Sequence, residues 1–377
     1  MAKYATASDR FILARRVSDF FKLRHEPSGP PPCLSRWHRL SFGRTHGKRH
    51  GRSFLLQIGT APWSIGISVA AVSRTGALPR RWPRNSVIGW DVVAQSLLSG
   101  LFTGSVYALI AIGFTLVFGV TDVVNFAHGH LVMAAMFVTY VLFKAARIDP
   151  YLSLIVVLPL FFGLGALIYV LIIRRIVEHP HSAHMMVTLG LLIFLENLAN
   201  FVFSGDMRGV TTAYTTASWI LGPVAVPLAR AAAAGVSLVA VALLSLFLHR
   251  TSMGKAIRAA ANNREGASLV GIDVPRVYLL AFALGTVAAA LAGAVMVPFS
   301  LVGPFVGDEF MLKAFVIAVV GGLGSVSGAL VAGLLIGLVE SVSNLYITAS
   351  LGNAIVFAIL IAVLLFRPWG LLGQART

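Results

Sequence analysis

The chain reads as an all-α protein, a polytopic membrane helix bundle of about eight spans with a broken or re-entrant helix in 311–345. Of its 377 residues 57% are hydrophobic and 12% charged, with a mean hydropathy of +0.84, more apolar surface than a water-soluble fold could hide. Apolar runs recur at the length of about 20 residues that a bilayer core of about 30 Å asks of a helix. The alternating segments of about ten residues that build a membrane barrel do not occur in the sequence.

The runs follow in order. The first, 93–118, carries Gly100 and Gly104; the second, 129–143, is short for a crossing; the third is 151–173. The fourth, 186–203, holds Glu196, Asn197 and Asn200, and the fifth is 230–248. The sixth, 277–299, repeats small residues at Gly285, Ala289 and Gly293. The seventh, 311–345, is too long for one simple crossing and contains the pairs Gly324 with Gly328 and Gly333 with Gly337; the last is 351–366. Gly and Pro inside such runs are tolerated better in membrane helices than in soluble ones. Small residues four apart stack on one helix face and let two backbones approach closely.

The charge is placed unevenly. Residues 1–85 hold 16 Lys and Arg against Asp9, Asp19 and Glu26, so +13 of the formal +16 belongs to this head. Its GPPP, RTHGKRHGR and PRRWPR stretches favour disorder and have little to pack. Nucleic-acid binding, anionic-lipid binding and an Arg-rich transit segment are functional readings of it. The preferred expectation is that 1–86 is an extension outside the native protein and that 87–377 is the membrane domain. FLLQIGTAPWSIGISVAAV (54–72) has the composition of a weak extra span or a signal-like h-region, but Pro62 and the four arginines that follow argue against insertion. Cys33, the only cysteine, lies in the head, so an intrachain disulfide or thiolate metal site is excluded.

GKAIRAAANNREGASLVGIDVPRV (254–277) interrupts two apolar runs with two dozen mostly polar residues. Steps of three, four and three put Lys255, Arg258, Asn262 and Glu265 on one stripe of a single helix over about 254–270. Gly271 can stop that helix, Asp273 can cap the next, and Pro275 fits its first turn. Five basic residues (Arg250, Lys255, Arg258, Arg264, Arg276) against two acids place the loop on the cytoplasmic side and the start of the first span outside. A head of +13 outside conflicts with the same rule. The side of the C-terminus depends on how 311–345 breaks.

Two motifs that suggest nucleotide binding fail on inspection. HRTSMGK has His249 where a phosphate loop needs Gly, and Ala256 where Ser or Thr would hold magnesium; GGLGSVSG has Ser327 for its third Gly and no strand before it. No enzyme activity, cofactor or metal is therefore expected in this chain, nor a nucleic-acid partner. His179, His181 and His184 follow Arg174 and Arg175 and read as a solvated face rather than a metal site. Buried polar groups in spans are costly and tend to face a pathway or another helix. That makes Asn125, His128, Glu196 and Asn200 candidates for a translocation path, with a hydrogen-bonded helix break as the alternative for Asn125 and His128.

Within 254–277, REGASLVGIDVPRV resembles the cytoplasmic coupling loop of bacterial ABC importer permeases. The whole of 92–373 is similar to the permease family of the high-affinity branched-chain amino acid importers. The likeness is carried by GLFTGSVYALIAIGFTLVFGVTDVVNFAHGHLVM (100–133), TLGLLIFLENLA (188–199), TSMGKAIRAAANNREGASLVGIDVPRV (251–277), KAFVIAVVGGLGSVSGALVAGLLIGLVES (313–341) and FRPWGLLG (366–373). It implies a multi-pass subunit of the bacterial inner membrane that lies in the lipid bilayer beside a second, related permease. Two cytoplasmic ATPases would drive it, with ATP and magnesium bound there, and a periplasmic solute-binding protein would deliver the substrate. It also implies that Arg258, Glu265, Gly266, Ala267, Gly271 and Pro275 belong to the ATPase-coupling element. The family commonly has an amide where this chain has Glu196, which introduces a charge. A stand-alone secondary transporter or channel and an inert scaffold partner stay open beside this reading. A chain starting at Val87 is expected to insert and support uptake as well as the full chain; loss of uptake on that truncation would overturn the view that 1–86 is dispensable.

Overall fold

The structure, a computed structural model, describes residues 89–221, 224–346 and 349–373. The expectations for 1–86 and for Cys33 lie outside the described residues.

Along the chain run α1 (Trp90–Thr121), α2 (His128–Ala146), α3 (Leu154–Ile176, with a π-helical turn at Tyr169–Ile173) and α4 (His181–Phe203). A hairpin of β1 (Ser218–Leu221) and β2 (Val224–Pro227) leads into α5 (Leu228–Arg250). Two short helices follow, α6 (Ser252–Asn262) and α7 (Arg264–Leu269), and then α8 (Val274–Met296), α9 (Val306–Gly321), α10 (Val326–Tyr346) and α11 (Ala349–Phe366). Seven of the helices among the described residues, α1 to α5, α8 and α10, are long and apolar enough to cross a membrane, and Gly352–Phe366 is a shorter apolar helix. The chain is a multi-pass helical membrane protein.

From about Gly104 onward α1 is apolar all round, as a helix stretch buried on every side must be, while its first turns are exposed or half-buried. Its most apolar window is 78% buried and that of α8 72%, whereas α4 is only 17% buried and lies at the outside. At 32 residues α1 is roughly 48 Å long, beyond the expected 93–118 at both ends. Its main partner is α10, which runs antiparallel to it. A Cβ on Gly100 would lie 2.8 Å from the Gly337 carbonyl oxygen, and one on Gly104 2.8 Å from that of Gly333, so the two glycine pairs read in sequence pack on each other. Next to them Ser96 Oγ donates to the Ser341 carbonyl at 2.9 Å and Ser341 Oγ to the Ser96 carbonyl at 2.7 Å. Gly285 of α8 sits likewise on the Gly113 carbonyl.

The expected break in 311–345 falls at residues 322–325, between α9 and α10. α9 has 16 residues, roughly 24 Å, less than a full crossing. Gly322 and Gly324 have φ of +105° and +89°, a backbone that side chains with a Cβ adopt only under strain. Gly324 and Gly328 therefore do not form a helix face: Gly324 belongs to the turn and Gly328 packs on Gly321. The chain end closes over this break, with Leu371 N donating to the Val320 carbonyl at 2.8 Å and Leu372 N to that of Gly321 at 3.1 Å. Gly324 also faces Gly119, near the C-terminal end of α1. The C-terminal segment therefore lies at the same end of the bundle as the α1 terminus.

The second span is longer than the expected 129–143, at 19 residues, but it starts deep in the bundle. After Thr121 and the left-handed Asp122 (φ +55°) the chain turns back into the bundle as a non-helical segment that ends in a turn at 126–127, and Val123, Asn125 and Ala127 are buried. His128 then starts α2 with its Nε2 3.0 Å from the carbonyl of Ile110, about three turns back along α1. α2 begins inside the bundle rather than at its surface.

Candidate functional site

The polar interruption after α5 is built from local capping. Thr251 Oγ1 accepts from Gly254 N at 2.9 Å and opens α6, whose inward face is Gly254, Ile257 and Ala260. Lys255, Arg258 and Asn262 face outward and are exposed. The single helix expected over 254–270 is corrected here. Asn263 is extended (φ −152°, ψ 105°), and its Oδ1 accepts from Gly266 N at 2.8 Å, so a polar side chain that competes for backbone donors ends one helix and caps the next.

That restart changes which residues face out. Glu265 is exposed and Gly266 half-buried, but Ala267, expected at a partner contact, is 4% exposed and packs on the bundle. Leu269 and Val270, 86% and 76% exposed, take the outer position instead. Gly271, with φ +84°, makes the expected corner, and Ile272 N donates to the Ala267 carbonyl at 3.0 Å. Asp273 Oδ1 accepts from Arg276 N at 3.2 Å, and Pro275 occupies the first turn of α8. Arg264 braces the pair from the side: its Nη2 lies 2.8 Å from Glu178 Oε1, and its guanidinium 5.7 Å from the centre of the Tyr278 ring. The result is a fixed surface element with a short apolar patch beside charges.

The intramembrane candidates separate into two groups. Asn125 and His128 lie together in the re-entrant segment, almost wholly buried. Asn125 Oδ1 accepts from Ala127 N at 3.2 Å, His128 reaches the Ile110 carbonyl, and Thr188 Oγ1 donates to the Val124 carbonyl at 3.1 Å. Such bonds are what an unwound backbone inside a bilayer requires. Glu196 belongs elsewhere: its Oε2 lies 3.5 Å from His130 Nε2, which is 3.6 Å from Asp308 Oδ1. Asn200, one turn beyond Glu196, is exposed and joins neither group.

Local sequence spacing does not lead to His130 or to a second buried cluster. Lys313 of α9, 7% exposed, donates from Nζ to Tyr107 Oη at 2.8 Å, Glu309 Oε1 at 2.7 Å and Glu340 Oε1 at 2.8 Å, tying α1, α9 and α10. All three ammonium protons are used. Glu340 is the buried acidic partner and Glu309 a largely exposed one, so the cost of about 3–5 kcal/mol for removing one member of a buried pair applies to Lys313 with Glu340. Of this cluster only the Glu309 to Lys313 step of four residues is a local signal.

The expected solvated face at 179–184 also needs correction. His181 is exposed, but His184 is 4% exposed with Nε2 2.7 Å from the Ile176 carbonyl, because α4 begins under the end of α3. Tyr214, between α4 and β1, donates to Asp149 of the connector after α2 at 2.9 Å, and Tyr151 of that connector donates to the Ala229 carbonyl at 3.1 Å. Burial, helped by the Asp149 charge, pushes the Tyr151 phenol up to about 12; burial pushes Tyr214 up as well. Both remain protonated donors near neutral pH, so Tyr151 keeps this connector tied to the start of α5 and Tyr214 ties it to the segment after α4.

Comparison with known proteins bears on what these elements serve. Residues 96–364 match the family described as "Branched-chain amino acid transport system / permease component". The chain is 33% identical over 296 residues to the high-affinity branched-chain amino acid transport system permease protein LivH of Salmonella typhimurium, covering 74% of this chain and 95% of that one. LivH of Escherichia coli K12 gives the same identity and coverage. BraD of Pseudomonas aeruginosa, a permease protein of the same description, is 29% identical over 307 residues, again 74% of this chain and 95% of the relative. No solved structure matches at a significant level. With the helical bundle, the closed glycine seam and a match across most of the membrane domain, the chain belongs to the branched-chain amino acid transport permease family.

Proposed function

We propose that the chain is the permease subunit of an ATP-driven importer in a bacterial inner membrane, moving branched-chain or related amino acids, or small amides, into the cytoplasm. The observation that carries this reading is the capped pair α6–α7, which leaves Leu269 and the following Val270 largely in the open while Arg258 and Glu265 are exposed on its two helices. A rigid pair with exposed apolar tips fits a groove on a soluble partner better than it fits a passive connector. On this reading two cytoplasmic ATPases dock there, a second related permease completes the translocation path, and a periplasmic binding protein supplies the substrate. Gly271 and Pro275 set the angle of the element, and the C-terminal segment lies on the cytoplasmic side with it. ATP and magnesium bind the partner chains.

Reconstitution decides between this and a stand-alone carrier. Uptake into proteoliposomes is expected only when the ATPases co-purify and ATP is present. Uptake by this chain alone, driven by an ion gradient, would remove the importer reading.

Glu196, whose side chain is 22% exposed, is proposed as the acidic member of the path, with Asn125 and His128 holding the re-entrant segment and Asn200 one turn further along α4. Glu196→Gln is expected to change the selectivity or the apparent affinity of uptake by about tenfold, the weight of one charge-assisted contact of roughly 1.5 kcal/mol to a substrate ammonium or amide. Unchanged selectivity and affinity with a lowered Tm would assign Glu196 to packing between helices alone.

A further inference from the structure

We propose that His130, Glu196 and Asp308 form a binding site for a divalent first-row transition-metal ion that joins α2, α4 and α9. The imidazole comes from the first turn of α2, one carboxylate from the C-terminal half of α4 and the other from the first turn of α9. Their ligand atoms all lie within 4.8 Å of one another.

The histidine is what points to an ion. Its side chain is 0% exposed, and neither ring nitrogen makes a hydrogen bond among the described residues. A buried unsatisfied polar group costs about 1–3 kcal/mol, so Nε2, the nitrogen on the side of the carboxylates, calls for a partner. Nε2 is aimed at the two carboxylates, yet at 3.5 and 3.6 Å it stands too far away for a charge-assisted hydrogen bond, which closes to about 2.7–2.9 Å. Those separations instead match two ligands on one ion: bonds of about 2.0–2.1 Å at a tetrahedral angle put ligand atoms about 3.4 Å apart. Gly307 contributes by lacking a side chain, since a Cβ there would lie 2.8 Å from the His130 ring.

The donor set names the class of ion. One imidazole and two carboxylates, with no thiolate, suit zinc, manganese, iron or cobalt in the divalent state. Calcium and magnesium ask for six or more oxygen ligands. Asp308 is 57% exposed, which leaves a fourth position open to water. An ion there would hold α4, the least buried of the long helices, against α2 and α9.

The test uses the full chain, purified in detergent and stripped with a chelator, with zinc as the calorimetric probe and cobalt(II) as the spectroscopic one. The sequence has ten histidines, so the site is read as a difference between variants. The native chain is expected to bind one zinc ion that Asp308→Asn and His130→Gln each weaken by roughly 100-fold, and to show with cobalt(II) the strong visible bands of a four-coordinate site, lost in both. Zinc should raise the Tm of the native chain and not that of Asp308→Asn. Should His130→Gln fail to fold, the half-exposed Asp308 still decides the matter. Zinc affinity and Tm shift identical in native and Asp308→Asn protein would overturn the proposal and leave a loose histidine–carboxylate ion pair.

Discussion

Leu269→Asp combined with Val270→Asp is expected to abolish ATP-driven uptake while the permease still inserts and extracts from membranes at its normal level. Both side chains are largely in the open, at 86% and 76%, so replacing them removes almost nothing from the fold of the subunit itself. Docked in a groove, each would contribute on the order of 1.5–3 kcal/mol through burial. The variant loses that and also forces two carboxylates into the apolar site. Together these amount to several kcal/mol, so ATPase retention should fall by roughly 100-fold or more. The measurements are membrane insertion, co-purification of the ATPase and transport-linked hydrolysis. Normal insertion with retained ATPase and normal transport would make α6–α7 a mere connector. Gly271→Val addresses the angle of the same element rather than its surface. No atom lies within 4 Å of a Cβ at Gly271, but φ is +84°, so the cost is backbone strain and not a clash. Gly266→Trp is a less clean probe, because a Cβ there already meets the Asn263 cap at 3.2 Å.

What could be read from the sequence is what depends on near neighbours. The apolar runs gave the spans because burial in lipid requires about 20 consecutive residues and little else. The corner at Gly271, Asp273 and Pro275 was legible because each residue acts within one turn of itself. The break in 311–345 was legible in length and glycine content, although its exact place was not, since Gly322 and Gly324 look no different from the packing glycines that follow. Asn263 was hidden for a related reason: Asn262 and Asn263 stand side by side, and only the fold shows which of them leaves the helix. That single choice turned Ala267 inward and Leu269 outward. His130, Glu196 and Asp308 were not legible as a group at all. They meet across three helices, and no spacing rule within a helix connects residues so far apart in the chain.

The seam between α1 and α10 makes the strongest demand on the fold itself. Gly104→Leu is expected to abolish recovery of monodisperse protein after detergent extraction. In the membrane no hydrophobic driving force holds two apolar helices together, so close backbone packing and polar links such as the Ser96–Ser341 pair must do it. A Cβ at Gly104 would lie 2.8 Å from the Gly333 carbonyl oxygen, 3.1 Å from Leu334 Cα and 3.2 Å from Gly337 Cα. All three are backbone atoms of α10, which no rotamer change can move aside. Overpacking alone costs about 1–3 kcal/mol where side chains can give, and a rigid seam lies at or beyond the upper end of that range. Separating the helices would also pull Gly100 from Gly337 and break both serine bonds. Gly190→Leu is the matched control, because nothing lies within 4 Å of a Cβ on that outward face of α4. It should leave yield and Tm unchanged. Equal yield and Tm for Gly104→Leu and Gly190→Leu would mean that α1 and α10 do not meet through their glycines, and the arrangement of the whole core around α1 would have to be rebuilt.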